Sequence, residues 1–171
     1  MSDLVQKLGT YQILTNLLPG VLFVWLLRLL FQIEIPVTNF VEGIVAYYFA
    51  GLIINRIGSL IIVPILTTPI GKSKSRLINY APYVEYISAA KYDTKIDALS
   101  EVNNCFRSFL TTALLLPVTY GLFRLYAIWP WLQEYWAWAI VAFLIILFYF
   151  SHKKQTKYIR ERVNKVNNDN S

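Results

Sequence analysis

The stretch WPWLQEYWAWAIVAFLIILFYFSHKKQTKYIRER, residues 129–162, decides the architecture. It opens with three Trp around Pro130, continues as an almost uninterrupted apolar run from Trp131 to Ser151, and ends in cations. A run of about twenty apolar residues makes a helix roughly 30 Å long, the thickness of a bilayer's hydrocarbon core. Trp rings favour the head-group level, and Lys and Arg favour the cytoplasmic side. The stretch therefore reads as a membrane-crossing helix that leaves an aromatic belt at one face and ends in a basic tail at the other.

The rest of the chain has the composition this reading needs. Of 171 residues, 56% are hydrophobic, 16% aromatic and 15% charged, with a mean hydropathy of +0.46. A soluble domain of this length cannot cover so many large apolar side chains with its own surface, and a disordered chain would not carry them. One Cys excludes an intrachain disulfide framework, and one His beside one Cys excludes the usual zinc sets.

Three more apolar runs precede the tail. FLTTALLLPVTYGLFRLYAIW lies within Phe106 to Trp129 and forms a hairpin with the last run across Pro130. Another begins near Val37 and passes through GIVAYYFAGLII to about Ile57, where RIGSLIIVPILTTPIG stays apolar but is punctuated by Gly58, Pro64 and Pro69. Two readings are open there: one tilted helix of nearly thirty residues, or a span ending near Arg56 with an interfacial piece after it. The second is preferred because it puts Arg56 near the head groups. The first run, Leu17 to Ile33, is just long enough to span. Ahead of it Leu4, Leu8, Tyr11, Leu14 and Leu18 recur at helical spacing, either as a surface helix ended or bent at Pro19-Gly20 or as an extension of the first span. The leading segment lacks the basic region and cleavage pattern of a signal peptide.

Orientation follows from the cations. Lys72, Lys74, Arg76, Lys91, Lys95 and Arg107 lie in the central connection, and Lys153, Lys154, Lys157, Arg160, Arg162 and Lys165 in the tail. The two opposite turns carry no Lys or Arg. The expected fold is all-α: one domain of four transmembrane helices, about 17–33, 37–57, 106–129 and 131–151, with both termini and the connection cytoplasmic.

The connection, about 70–105, is expected to be helical. Pro82 is placed as a first-turn residue and Asp93 or Thr94 as a cap. Ile96, Leu99, Val102 and Phe106 share a face, so this helix should enter the third span without a break. The tail, 152–166, reads as a further helix with Tyr158, Ile159, Val163 and Val166 along one side and the six cations around the rest, fraying over Asn167–Asn170. Those cations are candidates to meet a cytoplasmic partner or anionic lipid, the latter at about 1 kcal/mol per cation. No direct nucleic-acid binding is expected.

Charges within the runs are the other candidates. Arg28 and Arg124 fall in the outer halves of the first and third spans, and Glu34, Glu42 and Glu134 lie near the same interface. An Arg–carboxylate network within this chain or with a neighbouring copy would satisfy them, as a sensing element or as a structural clamp. Asn55 and Arg56 form an inner polar step, where Gly51, Gly58 and Ser59 allow close helix approach. Thr111, Thr112, Thr119 and Gly121 have the polarity to line a pore, although Thr also bonds its own helix backbone. His152 reads as interfacial and Cys105 as packed. With no acid–base pair, phosphate loop or metal motif, neither enzymatic activity nor a cofactor is expected.

The strings FAGLIINRIGSLIIVPIL, DALSEVNN and SHKKQTKYIRERV, spanning about 49–163, resemble a group of small four-span bacterial proteins encoded beside defence genes, the membrane subunits of Kiwa antiphage systems among them. The resemblance implies a homo-oligomer, a tetramer, that detects infection at the inner membrane and works with a soluble cytoplasmic DNA-binding subunit. No family site residue is carried over. The functional expectation is an oligomeric membrane sensor or scaffold that recruits a soluble partner; the alternative is a homo-oligomeric ion channel or pore-forming effector. A transporter is less favoured, since no repeated pair of broken helices marks a midplane site.

Overall fold

Apolar runs this long satisfy their backbone most simply as helices, and helices are what forms. A computed structural model describes residues 13–69, 76–93 and 95–169. Leu4, Leu8, Tyr11, Lys72, Lys74, Thr94 and Asn170 lie outside the described residues.

A wide-turn (π) segment, Ile13–Leu17, leads into α1 (Leu18–Phe31). The helix passes through Pro19-Gly20 without ending: Pro19 sits in the first turn of α1, where its missing N–H is not needed. From Ile13 onward the segment is thus an extension of the first apolar run. It stops earlier than the run's composition suggests, because Gln32 turns left-handed (φ 57°) and the N–H groups of Gln32 and Ile33 donate to the carbonyls of Arg28 and Leu27. The Gln32–Arg28 bond is that of an αL close, with a non-glycine residue in the left-handed position.

Helix α2 (Phe40–Ile57) is opened by Asn39, whose side-chain oxygen accepts the Glu42 N–H at 2.9 Å. It does not end near Arg56. A second π segment (Gly58–Ile62) and α3 (Val63–Thr67) prolong it into one helical run, Phe40–Thr67, of 28 residues. The expected stop fails for a local reason: Gly58 keeps right-handed helical angles, and Pro64 follows closely on the wide π turn, which accommodates its missing N–H.

After the connection come α4 (Tyr83–Ala90), α5 (Lys95–Ile128) and α6 (Pro130–Asp169). Pro82 is the residue just ahead of α4 rather than within its first turn, and Asp93 accepts the Lys95 N–H at 2.9 Å at the start of α5. Helix α5 runs 34 residues through Pro117, and α6 runs 40, past the expected fraying at Asn167. Only Trp129 separates them.

The described residues are all helical in their regular structure, and three helices, Phe40–Thr67, Lys95–Ile128 and Pro130–Asn168, are long and apolar enough to cross a membrane. The helix over the first run, Thr15–Phe31, is apolar but shorter.

Packing is inverted relative to a soluble bundle. The buried hydrophobic residues among those described are Leu27, Ile54, Ile57, Ile87, Leu116 and Leu147; Thr15, Asn16, Ser108, Thr111, Thr112 and Ser151 are buried beside them. The outside carries Trp25, Leu29, Leu30, Phe40, Phe123, Trp138, Ile145 and Ile146, all about half exposed or more. Small and hydroxyl residues inside, with large apolar ones outside, is how helices associate when the solvent is hydrocarbon. Helices α1 and α2 meet backbone to backbone: a Cβ on Gly51 would lie 1.6 Å from the Asn16 carbonyl oxygen, and one on Gly20 1.8 Å from that of Tyr47. Phe31 stacks on Tyr120 of α5 at 4.6 Å. Helix α6 lies outermost, touching α5 through Tyr126 and Trp136 (5.4 Å) and α2 through Phe49 and Phe148 (6.2 Å).

Candidate functional site

The polar side chains of the bundle gather at one level, at the end where α2 finishes, α5 begins and α6 leaves the apolar run. Asn55 holds the centre. Its amide donates to Asn16 Oδ1 at 3.0 Å, and its carbonyl oxygen accepts from Arg107 at 2.6 Å. Two Asn and one Arg thus join the start of the first helix, α2 and α5 where little water competes, so each bond is stronger than on a wet surface. One turn further, Gly58 faces Thr111; a Cβ there would come within 2.6 Å of the Thr111 hydroxyl oxygen. The glycines noted in the sequence therefore serve two different contacts, Gly51 with the first helix and Gly58 with α5.

Ser59 extends the layer to α6. The Lys154 ammonium donates to its carbonyl oxygen at 2.7 Å and to its hydroxyl at 2.8 Å. Burial, then the neighbouring guanidinium groups of Arg107 and Arg56, hold the Lys154 ammonium below its ordinary proton affinity. Arg56, Ser59, Ser151, Lys154, Gln155 and Tyr158 line a small cavity of about 30 Å³ there. Below it, Tyr158 stacks on Tyr83 of α4 at 4.5 Å, and burial raises the Tyr158 phenol. Helix α4 is tied in turn to α5, since Tyr86 Oη donates to Asp97 at 2.7 Å. Burial, then that bond, raise the Tyr86 phenol. The result is a directional tie across every long helix. It contains no nucleophile beside a base; its chemistry is charge and hydrogen bonding.

The sequence singled out Asn55, Arg56 and Lys154, and the structure brings them together. It did not single out Asn16 or the stack of Tyr83 on Tyr158, Ser59 entered only as a small residue allowing close approach, and Arg107 only as one of the cations. The available signal was an Asn in each of two apolar helices, at a depth where an amide needs a partner.

The other tail cations stay outside the tie. Lys153, Arg160 and Arg162 are exposed, and Lys157 pairs with Glu161 at 3.7 Å. Of the outer Arg–carboxylate network, one pair forms among the described residues. Arg28 pairs with Glu34 at 3.2 Å, both well exposed. Glu42 is taken by the helix end, where its carboxylate accepts the N–H and the hydroxyl of Thr38. That preference is local: an orphan donor four residues away outcompetes a distant guanidinium. Arg124 and Glu134 are exposed, and no ion pair joins them to Arg28 among the described residues. The hydroxyls of Thr111 and Thr112 are buried and bond the carbonyls of Arg107 and Ser108 one turn back.

The stalk and tail stripes meet little. Leu99, Val102 and Phe106 on α5, and Ile159, Val163 and Val166 on α6, are exposed. Helix α4 meets α5 elsewhere, through the bond from Tyr86 to Asp97.

No protein-family profile, no curated protein and no solved structure matches the chain.

Proposed function

We propose that the chain is a four-span protein of the bacterial inner membrane, with both ends and the α4 connection in the cytoplasm. It assembles as a homo-oligomer and uses its cytoplasmic helices to recruit a soluble partner, as a sensor or scaffold. The observation that carries this reading is the pair of exposed apolar stripes, Leu99–Val102–Phe106 and Ile159–Val163–Val166. Higher on the same helices exposed apolar side chains meet lipid. Beyond the basic residues the solvent is water, and a stripe of this kind there calls for protein to cover it. The distribution of cations supports the orientation, and the inverted packing supports the lipid surroundings. The resemblance to membrane subunits of antiphage systems supplies the setting: detection of infection at the membrane, with a DNA-binding subunit as the partner.

The pore reading has less support, because Thr111 and Thr112 spend their hydroxyls on their own helix, inside the chain. The test has two arms. In a Cys105→Ala background, a membrane-impermeant maleimide applied to intact spheroplasts should label Asn39→Cys and spare Thr156→Cys; the reverse pattern sinks the topology. Affinity capture from native membranes should recover a soluble companion, and Val102→Asp with Val163→Asp should reduce its yield at least tenfold. Undiminished capture by that variant would overturn the docking role of the stripes.

A further inference from the structure

Next to the Lys154 tie, and sharing Lys154 with it, lies a groove of about 710 Å³ along α6. Its upper wall is apolar and aromatic: Leu60, Tyr149 and Phe150. Its lower wall carries His152, Lys153, Lys157 and Arg160. Tyr149, Lys153, Lys157 and Arg160 follow one another at three- and four-residue spacing, so one face of α6 changes from aromatic to cationic within about three turns, roughly 16 Å. Tyr149 and Phe150 are about half exposed or more, so the apolar end is open.

We infer that this groove binds one anionic phospholipid of the inner leaflet, its phosphate held by Lys153, Lys157 and Arg160 and its acyl chains laid against Leu60, Tyr149 and Phe150. The inference rests on the membrane-spanning reading above. Two features select this occupant. The order of the walls, apolar toward the span and cationic beyond it, matches a phospholipid standing in a leaflet and not an extended acidic peptide, which needs no apolar wall. The charge is also incompletely balanced: Glu161 faces Lys157 at 3.7 Å, while Lys153 and Arg160 project beside it exposed. A basic groove against a spanning helix on the cytoplasmic side is the setting in which anionic head groups are held. The tie is then what shapes the site, since the Lys154–Ser59 bonds set α6 against the helix that carries Leu60.

The full chain, purified in mild detergent, is titrated with phosphatidylglycerol or phosphatidylcholine and read by native mass spectrometry. One phosphatidylglycerol per chain is expected at concentrations where phosphatidylcholine does not bind. Lys153→Gln with Arg160→Gln should weaken it at least tenfold. Arg162→Gln with Lys165→Gln, outside the groove, should leave it unchanged. Leu60→Trp fills the apolar end without altering charge and should also weaken it, which keeps the proposal open to refutation if the double glutamine variant misfolds. Equal binding of the two lipids, or equal losses in the groove and control variants, would overturn it. So would displacement of the lipid by millimolar inorganic phosphate, or a groove variant that changes subunit number or captured protein while lipid binding stays intact. Carbonate extraction tests the underlying reading separately: a chain released from membranes is not a spanning protein, whatever its lipid count.

Discussion

At the scale of single residues, the packing of α1 on α2 depends on what is missing at position 51. With the Asn16 carbonyl 1.6 Å from where a Cβ would stand, Gly51→Ala must push the two helices apart. Overpacking of this kind costs about 1–3 kcal/mol. Gly121 is the internal contrast, having nothing within 4 Å of its would-be Cβ. Gly121→Ala should gain about 0.5–1 kcal/mol from helix propensity alone. Thermal unfolding of both variants in one detergent checks the pair: the midpoint falls for Gly51→Ala and holds or rises for Gly121→Ala. Asn55 gives a second residue-level prediction. Asn55→Leu removes a partner from both Asn16 and Arg107, at about 1–3 kcal/mol for each buried group left short. A double-mutant cycle with Arg107→Met should return a coupling of about 1 kcal/mol or more; strict additivity would show that the bond contributes nothing. These contacts were only partly legible beforehand. An Asn in an apolar helix announces that it needs a partner, but which partner depends on the crossing point, and the crossing point depends on glycines whose spacing matches no simple motif.

At the scale of elements, the polar anchor of α6 on the second apolar run is Lys154, beside three aromatic contacts. Because Lys154 binds its proton less tightly in the folded chain than its ordinary value of 10.5, the unfolded chain holds more protons over the interval between the two. The Lys154 contribution to stability therefore rises with pH across that interval and is lowest below it. Lys154→Met, which keeps the length of the side chain and loses the titration, isolates the effect. The midpoint of the natural chain minus that of the variant should increase from pH 8 toward pH 10.5. A flat or falling difference would mean that the ammonium is not held in a poorly solvated place. The continuity of α5 and α6 was readable from sequence, since Ile96 to Phe106 and Tyr158 to Val166 keep helical spacing through the ends of the apolar runs. The course of the second run was not: Arg56 and Gly58 together look like an ending. Gly58 is instead small because Thr111 lies against it, and the π turn absorbs the irregularity.

At the scale of the whole molecule, one chain is a thin bundle whose outermost helix touches its neighbours at separated points and leaves most of its apolar surface open. Light scattering of the full chain in a mild detergent should therefore return a protein mass of at least twice 19.8 kDa, fourfold if the resemblance to tetrameric defence subunits is sound. A mass of one chain would overturn the proposed self-association. The helical class could be read from composition, because it is a sum over many residues. The outer charge network could not, since a single carboxylate such as Glu42 is decided by the nearest orphan N–H.

The anchoring of α6 at Lys154 has a mechanical consequence. Helix α6 is continuous for 40 residues, and its fastening to Ser59 lies nearer its C-terminal end than its start. About 36 Å of helix lies between that fastening and Pro130, and about 22 Å between it and Asp169. A fulcrum so placed turns a sideways push at the aromatic corner into an opposite swing of the basic end, reduced to about three-fifths. A tug of 5 Å on the corner would thus reach the far tip as a stroke of about 3 Å.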